Sequence, residues 1–312
     1  MKTFITSILI LFSTLLSSQE VLKEEISINP LVSGELAIPQ TDKELPLVII
    51  IAGSGPTDRD GNQAAMKNNS LKFLAEGLNN NNIATFRFDK RIFKLVKNPD
   101  FKEEDARFDD FVKDIIDMVN HFNQDKRFSK IIIAGHSKGS LQGMVAINQG
   151  ARADAFISIA GAGQSIDRVI VQQIGKQQPF LKEDTENGFA ELRQKGEIEV
   201  YNPFLESIFR KSVQPFMLSW MQYDPQAEIA SLTVPVLILN GTEDVQTDES
   251  EARLLHQAKP DALFFLIENM NHVLKEVIPG DTMDNGRAYN EPQRPVVPEL
   301  IEKMVYFIGE MD

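Results

Sequence analysis

A mostly parallel α/β sheet flanked by helices is the fold class the sequence predicts, and three features predict it. Short, continuously apolar runs recur at 45–52, 131–134, 155–160 and 235–239, the pattern of strands buried on both faces. Helical periodicity lies between most of them, as parallel crossovers require. Loops rich in Gly, Asp and Asn follow the runs, as they do at the C-terminal edge of such a sheet, where ligands bind.

The chain has 312 residues, enough for one large α/β domain with an insertion. Residues 1–19 carry Lys2, an apolar run from Phe4 to Leu16 and then Ser17-Ser18-Gln19. This reads as a secretory signal peptide, the run being short for the roughly 20 residues of a membrane span. The expected destination is secreted or periplasmic. There is no Cys, so disulfides and a thiol nucleophile are excluded. A net charge of −13 argues against nucleic acid and anionic membrane surfaces as partners. No later run reaches the length of a span, so no integral membrane segment is expected after signal removal. Nothing in the sequence fixes an oligomeric state.

Residues 20–28 and 31–38 alternate apolar with polar around Asn29-Pro30, as an edge hairpin does. The strand 45–52 runs into Gly53-Ser54-Gly55-Pro56-Thr57-Asp58-Arg59-Asp60-Gly61-Asn62. A dinucleotide fingerprint is rejected there because the third Gly is missing at the required offset and Pro56 interrupts the turn. Helix 71–78 leads to strand 83–88, which ends in Asp89-Lys90-Arg91. Helix 106–122 places Phe108, Phe111, Val112, Ile115, Val119 and Phe122 on one stripe, which reads as core. From 164 to 225 the composition shifts to Gln, Lys and Glu with scattered apolar residues, and an inserted helical cap is expected. Its Phe216, Met217, Trp220 and Met221 are read as seating the cap on the sheet. Alternation resumes with strand 235–239, helix 249–258, strand 262–267 and helix 298–308. The expected organisation is therefore signal 1–19, core 20–163, cap 164–225 and core 226–312.

Chemistry centres on Gly135-His136-Ser137-Lys138-Gly139, directly after an apolar strand and before a small-residue segment. Gly-x-Ser-x-Gly is the nucleophile elbow, a strained strand-to-helix turn that leaves the serine exposed. A serine needs a base, and the base needs an orienting group. Of the four His residues, His121 falls on a polar helix side and His256 within a helix. His136 leaves the elbow in another direction from Ser137. His272, just after the last strand, is the expected base. The acid is expected after the preceding strand, in Asn240-Gly241-Thr242-Glu243-Asp244. Asp244 is preferred over Glu243 and Asp248, a helix N-cap cluster being the bland alternative.

The order Ser137, Asp244, His272, with the elbow motif, resembles α/β-hydrolases over nearly the whole mature chain. The Gly-Ser-Gly-Pro-Thr-Asp-Arg-Asp-Gly loop and the Asp-Lys-Arg strand end are similar to bacterial hydrolases of the serine aminopeptidase-like and feruloyl esterase-like branch. Here Ile92-Phe93 stands where that branch usually has Gly, and added apolar surface near the pocket is expected. The resemblance implies an α/β-hydrolase fold and an oxyanion hole made by the backbone N–H groups of Lys138 and Ser54. It requires no cofactor, and His and carboxylates show no metal-ligand spacing. Asp58, Arg59 and Asp60 either touch substrate or form structural ion pairs beside Arg91. The leading expectation is a serine hydrolase cleaving small carboxylic esters through an acyl-enzyme. The alternatives are an aminopeptidase or amidase with the same triad, helped by Glu183, Asp184, Glu186 and Glu191, and a catalytically silent binding protein.

Overall fold

The computed structural model describes residues 20–311; the expected signal peptide, 1–19, lies outside the described residues. Among these, eight strands form one sheet: β1 (Val21–Asn29), β2 (Val32–Pro39), β3 (Leu45–Ile51), β4 (Ala84–Asp89), β5 (Phe128–His136), β6 (Ala155–Ile159), β7 (Val236–Gly241) and β8 (Leu263–Ile267). Their order is β1-β2-β4-β3-β5-β6-β7-β8. The N-terminal hairpin is antiparallel and adds antiparallel to β4, while every pair from β4 to β8 is parallel. Asn29 closes the hairpin turn: its Oδ1 accepts the N–H groups of Leu31 and Val32, each at 2.9 Å. The sheet is thus the α/β arrangement expected from the continuous apolar runs.

Successive side chains of a strand face opposite sides, and the central runs feed two separate cores. Leu47, Ile49 and Ile51 of β3, with Ile131 and Ile133 of β5, join the core under helices Phe108–Phe122, Lys138–Asn148 and Glu249–Ala258. Val48 and Ile50 of β3, with Ile132 and Ala134 of β5, join the core under helices Ser70–Asn79 and Pro298–Gly309. Both faces of these strands are covered, which is why apolar residues run without alternation.

Between β6 and β7 the chain leaves the sheet through helices Ile166–Gln177, Lys182–Lys195, Glu206–Phe209 and Gln214–Trp220. These close around a small cluster of their own that includes Leu181, Phe189, Leu192, Phe209 and Met217. The next helix, Pro225–Ala230, puts Ile229 into the main core. Helix Thr282–Ala288 was not expected from the sequence. Asp281 caps it by accepting the N–H groups of Met283 and Asp284, and distant Arg294 pairs with Asp284 at 2.8 Å.

Helix Lys138–Asn148 starts hard against β3. A Cβ at Gly139 would lie 2.5 Å from the Ile51 carbonyl oxygen, and one at Gly135 would lie 2.3 Å from the Gly139 oxygen. Gly139→Ala is therefore expected to lower unfolding stability in urea by about 1–3 kcal/mol, the usual cost of overpacking. Gly286→Ala, where an added Cβ meets nothing within 4 Å, serves as the contrast and is expected to be neutral or stabilising by up to about 1 kcal/mol. Equal midpoints for the wild type and Gly139→Ala would show that the helix does not pass that close.

Candidate active site

Ser137 occupies the turn between β5 and its helix with φ 55° and ψ −121°, a conformation that side chains rarely adopt and that surrounding structure must hold. Its N–H donates to the Ile159 carbonyl and its carbonyl accepts from Ser140, both at 2.9 Å. The side chain lines a cavity of about 460 Å³ at the C-terminal edge of the sheet. His272 lines the same cavity, while no hydrogen bond joins Ser137 to the imidazole in this structure. Such contacts often tighten only around a substrate.

His272 and Asp244 are joined directly, Nδ1 to Oδ2 at 2.7 Å, and both are buried. The other Asp244 oxygen accepts the N–H groups of Gln246 and Thr247 at 2.8 Å each, so the carboxylate is fixed at both ends. The neighbouring acids are used otherwise. Glu243 accepts the N–H of Gly280, and Asp248 caps helix Glu249–Ala258 through Ser250. The loops that carry Asp244 and His272 touch backbone to backbone. Glu243 N–H donates to the Met270 carbonyl at 3.0 Å, and a Cβ at Gly241 would sit 2.0 Å from that same oxygen. Of the remaining histidines, His121 is exposed and His256 stacks on Phe264.

Two residues gain a part that sequence reasoning missed. His136, the second residue of the elbow motif, places Nε2 at 2.8 Å from the backbone carbonyl of His272, with the two rings 4.9 Å apart. A carbonyl only accepts, so Nε2 carries the hydrogen. Burial first, and then the nearby His272, hold the pKa of His136 down to about 3, and the ring is neutral at working pH. Lys90, in the Asp-Lys-Arg strand end, is fully buried and donates to the carbonyls of Gly53 and, at 3.0 Å, Gly55. Burial, with the Lys138 ammonium nearby, draws its pKa well below the lysine range. In a trans peptide the N–H points opposite to the C=O, so anchoring the Gly53 carbonyl turns the Ser54 N–H the other way. That N–H has no acceptor among the described residues. The N–H of Lys138 opens its helix and has no carbonyl one turn back. Ser54 and Lys138 both line the cavity. The triplet Asp89-Lys90-Arg91 was visible as a motif, but the direction of its lysine is a tertiary fact.

Several expectations need correction. Arg59 pairs with Asp89 and Glu25, at 2.7 and 2.6 Å, and Asp60 with Arg87. Asp58 accepts the N–H groups of Asp60 and Asn62. The acidic loop therefore pairs with Arg87 and β-strand carboxylates, and Arg91 turns to Asp114 and Asp110 instead. Ile92 and Phe93 begin the one-turn helix Ile92–Leu95 and do not line the cavity. Trp220 does line it and, with Phe216, packs against the main core, whereas Met217 and Met221 lie in the inserted helices' own cluster. Among the described residues no group of three or more His, Asp or Glu side chains is arranged to hold a metal ion.

No protein-family model matches the sequence. The chain is similar to esterase EstD of Thermotoga maritima, with 23% identity over 265 residues, 81% of this chain and 60% of the relative. The structure is similar to Est1E of Butyrivibrio proteoclasticus, which has also been solved with ferulic acid bound: TM-score 0.57, 18% identity, 92% of this chain and 99% of that one. It is also similar to an acylaminoacyl peptidase of Pyrococcus horikoshii, with TM-score 0.55, 12% identity, 95% of this chain and 42% of that one.

The buried neutral His136 makes stability depend on acid. In the unfolded chain the ring titrates near 6.5, and in the folded chain only near 3, so protons bind the unfolded state preferentially in between. Stability is at its full value above about 6.5 and falls as pH drops towards 3. Melting temperature is expected to fall from pH 6.5 to 4.5, less steeply in His136→Gln than in the wild type. Parallel curves would remove His136 from the acid response.

Proposed function

We propose that this chain, which has the α/β-hydrolase fold, is a serine hydrolase of small carboxylic esters with Ser137, His272 and Asp244 as its triad. The observation that carries the reading is the 2.7 Å His272–Asp244 hydrogen bond beside the cavity that Ser137 lines from a strained elbow. The likeness to an esterase of Thermotoga maritima supports the substrate class, although this chain spans only 60% of that protein's length.

Ser137 Oγ attacks the ester carbonyl as His272 takes its proton, and Asp244 holds the ring through Nδ1 and stabilises its positive charge. Negative charge developing on the carbonyl oxygen meets the N–H groups of Ser54 and Lys138, each such donor being worth about 2.7–4 kcal/mol. Collapse of the tetrahedral intermediate expels the alcohol with the proton from His272. Water, deprotonated by the same ring, then cleaves the acyl-enzyme and releases the acid. No cofactor takes part in this scheme. Lys90 is a positioning residue, since it aims the Ser54 N–H through the Gly53 carbonyl. His136 is another, holding the His272 backbone.

The aminopeptidase alternative finds less support. Glu183, Asp184 and Glu186 are exposed, Glu191 pairs with Lys195, and none of the four lines the cavity. The export reading rests on residues 1–19. No helix among the described residues is long and apolar enough to cross a membrane.

Short-chain p-nitrophenyl esters are expected to be hydrolysed by the wild type and at least about 10³-fold more slowly by Ser137→Ala. A fluorophosphonate probe should label the first protein and not the second; equal rates in the two proteins would sink the proposal. Lys90→Met is expected to lower kcat by about 10²-fold with KM within a few-fold, the pattern of a lost oxyanion donor. A raised KM at unchanged kcat would show that Lys90 merely shapes the pocket.

A further inference from the structure

The Lys138 ammonium stands next to three aromatic rings: 5.2 Å from the centroid of Phe111, 5.1 Å from Phe216 and 5.4 Å from Trp220. Phe111 comes from the core helix Phe108–Phe122, and the other two from the cap helix Gln214–Trp220. Arg91 also lies over Phe111, at 5.9 Å, but its charge is met by Asp114 and Asp110. Among the described residues Lys138 has no such partner. The side-chain contacts of its ammonium are the three ring faces. An ammonium has three N–H donors, and ring faces supply attraction without lone pairs. Lys138 is half-buried, and from the wall of the cavity it lines its donors are placed to meet an acceptor held there.

The walls of that cavity point the same way. In a chain of net charge −13, no Asp or Glu lines it. Its polar groups are neutral amides and hydroxyls, among them Gln63, Gln164, Gln173, Gln246, Thr247 and Tyr289, together with His136 and His272. Lys90, buried behind the Ser54 loop and within electrostatic reach of Lys138, adds a second basic side chain and no anion. Burial draws the pKa of Lys138 to about 8, which leaves most of it protonated at neutral pH.

We propose that the Lys138 ammonium, framed by Phe111, Phe216 and Trp220 directly after the nucleophile, is the recognition point for a carboxylate carried by the ester substrate. This rests on the reading of the chain as an ester hydrolase and narrows it to anionic esters, such as half-esters of dicarboxylic acids or esters of carboxylated phenols. The rings hold the side chain in place, and the cavity, free of acidic groups, admits the anion without repulsion.

Two pairs of near-isosteric esters test it. Monomethyl succinate is set against methyl 4-methylpentanoate for a carboxylate on the acyl side, and 4-acetoxybenzoate against 4-isopropylphenyl acetate for one on the alcohol side. Turnover is followed with the wild type and Lys138→Met, and binding is measured by calorimetry with Ser137→Ala and Ser137→Ala/Lys138→Met. In at least one pair the anionic ester should show kcat/KM at least tenfold above its neutral partner and bind Ser137→Ala at least tenfold more tightly. Both advantages should shrink to within twofold once Lys138 is Met, and Lys138→Arg should recover part of them. If Lys138→Met does not fold, Lys138→Gln takes its place in the same ratio. Anionic esters no better than neutral ones in both pairs, or a preference that survives the loss of the cation, would overturn the proposal. Failure to hydrolyse any ester, with tight anion binding to Ser137→Ala retained, would uphold the anion subsite and overturn the esterase reading instead. Hydrolysis of neutral esters without charge preference would do the reverse.

Discussion

Close passage of backbone past backbone is the constraint from which the site follows. Helix Lys138–Asn148 can begin where it does only because Gly139 and Gly135 carry no Cβ, each lying less than 3 Å from a carbonyl oxygen at the Cβ position. That passage forces Ser137 into its unusual φ and ψ and leaves the side chain standing off the strand end. A second passage, Gly241 against Met270, brings the acid loop and the base loop to the separation at which Asp244 reaches His272. Strain and close approach are supported by the two apolar cores, one on each face of the sheet.

Much of this was legible in the sequence, for a physical reason. β3, β5, β6 and β7 are covered on both faces, so their apolar runs are unbroken and unmistakable. Ser137 and His272, the proposed nucleophile and base, were picked out by a motif and by elimination among four histidines, and both line one cavity. The acid was harder, because three carboxylates lie within six residues. Of Glu243, Asp244 and Asp248, Asp244 is the one bonded to His272, while Glu243 accepts from Gly280 and Asp248 from Ser250, partners that no local pattern reveals. Helix Thr282–Ala288 escaped because its sequence is polar and its anchor is an ion pair to Arg294, beyond any local window. Lys90 and His136 were both in view, yet a side chain's direction depends on elements distant in the chain.

The electrostatics of the site run against those of the whole molecule. Carboxylates outnumber cations overall, but they are spent on ion pairs at the rim of the Gly53–Asn62 loop and on the cap surface. Lys90 is buried and Lys138 half-buried, and neither pairs with a carboxylate among the described residues. A pocket with basic side chains and no acid favours negative charge, the property on which the proposed anion site and the proposed oxyanion hole both rest.

β8 is the outermost strand on its side of the sheet, paired with β7 alone. The loop bearing His272 therefore follows an edge strand of the sheet. Its imidazole is kept in register by inward tethers: the Asp244 carboxylate, the His136 ring, and the Asn271 side chain, which accepts the N–H groups of Val273 and Lys275. Those tethers, with Met270, Asn271, Leu274 and Lys275 all buried, let an edge loop hold a side chain as firmly as a central one.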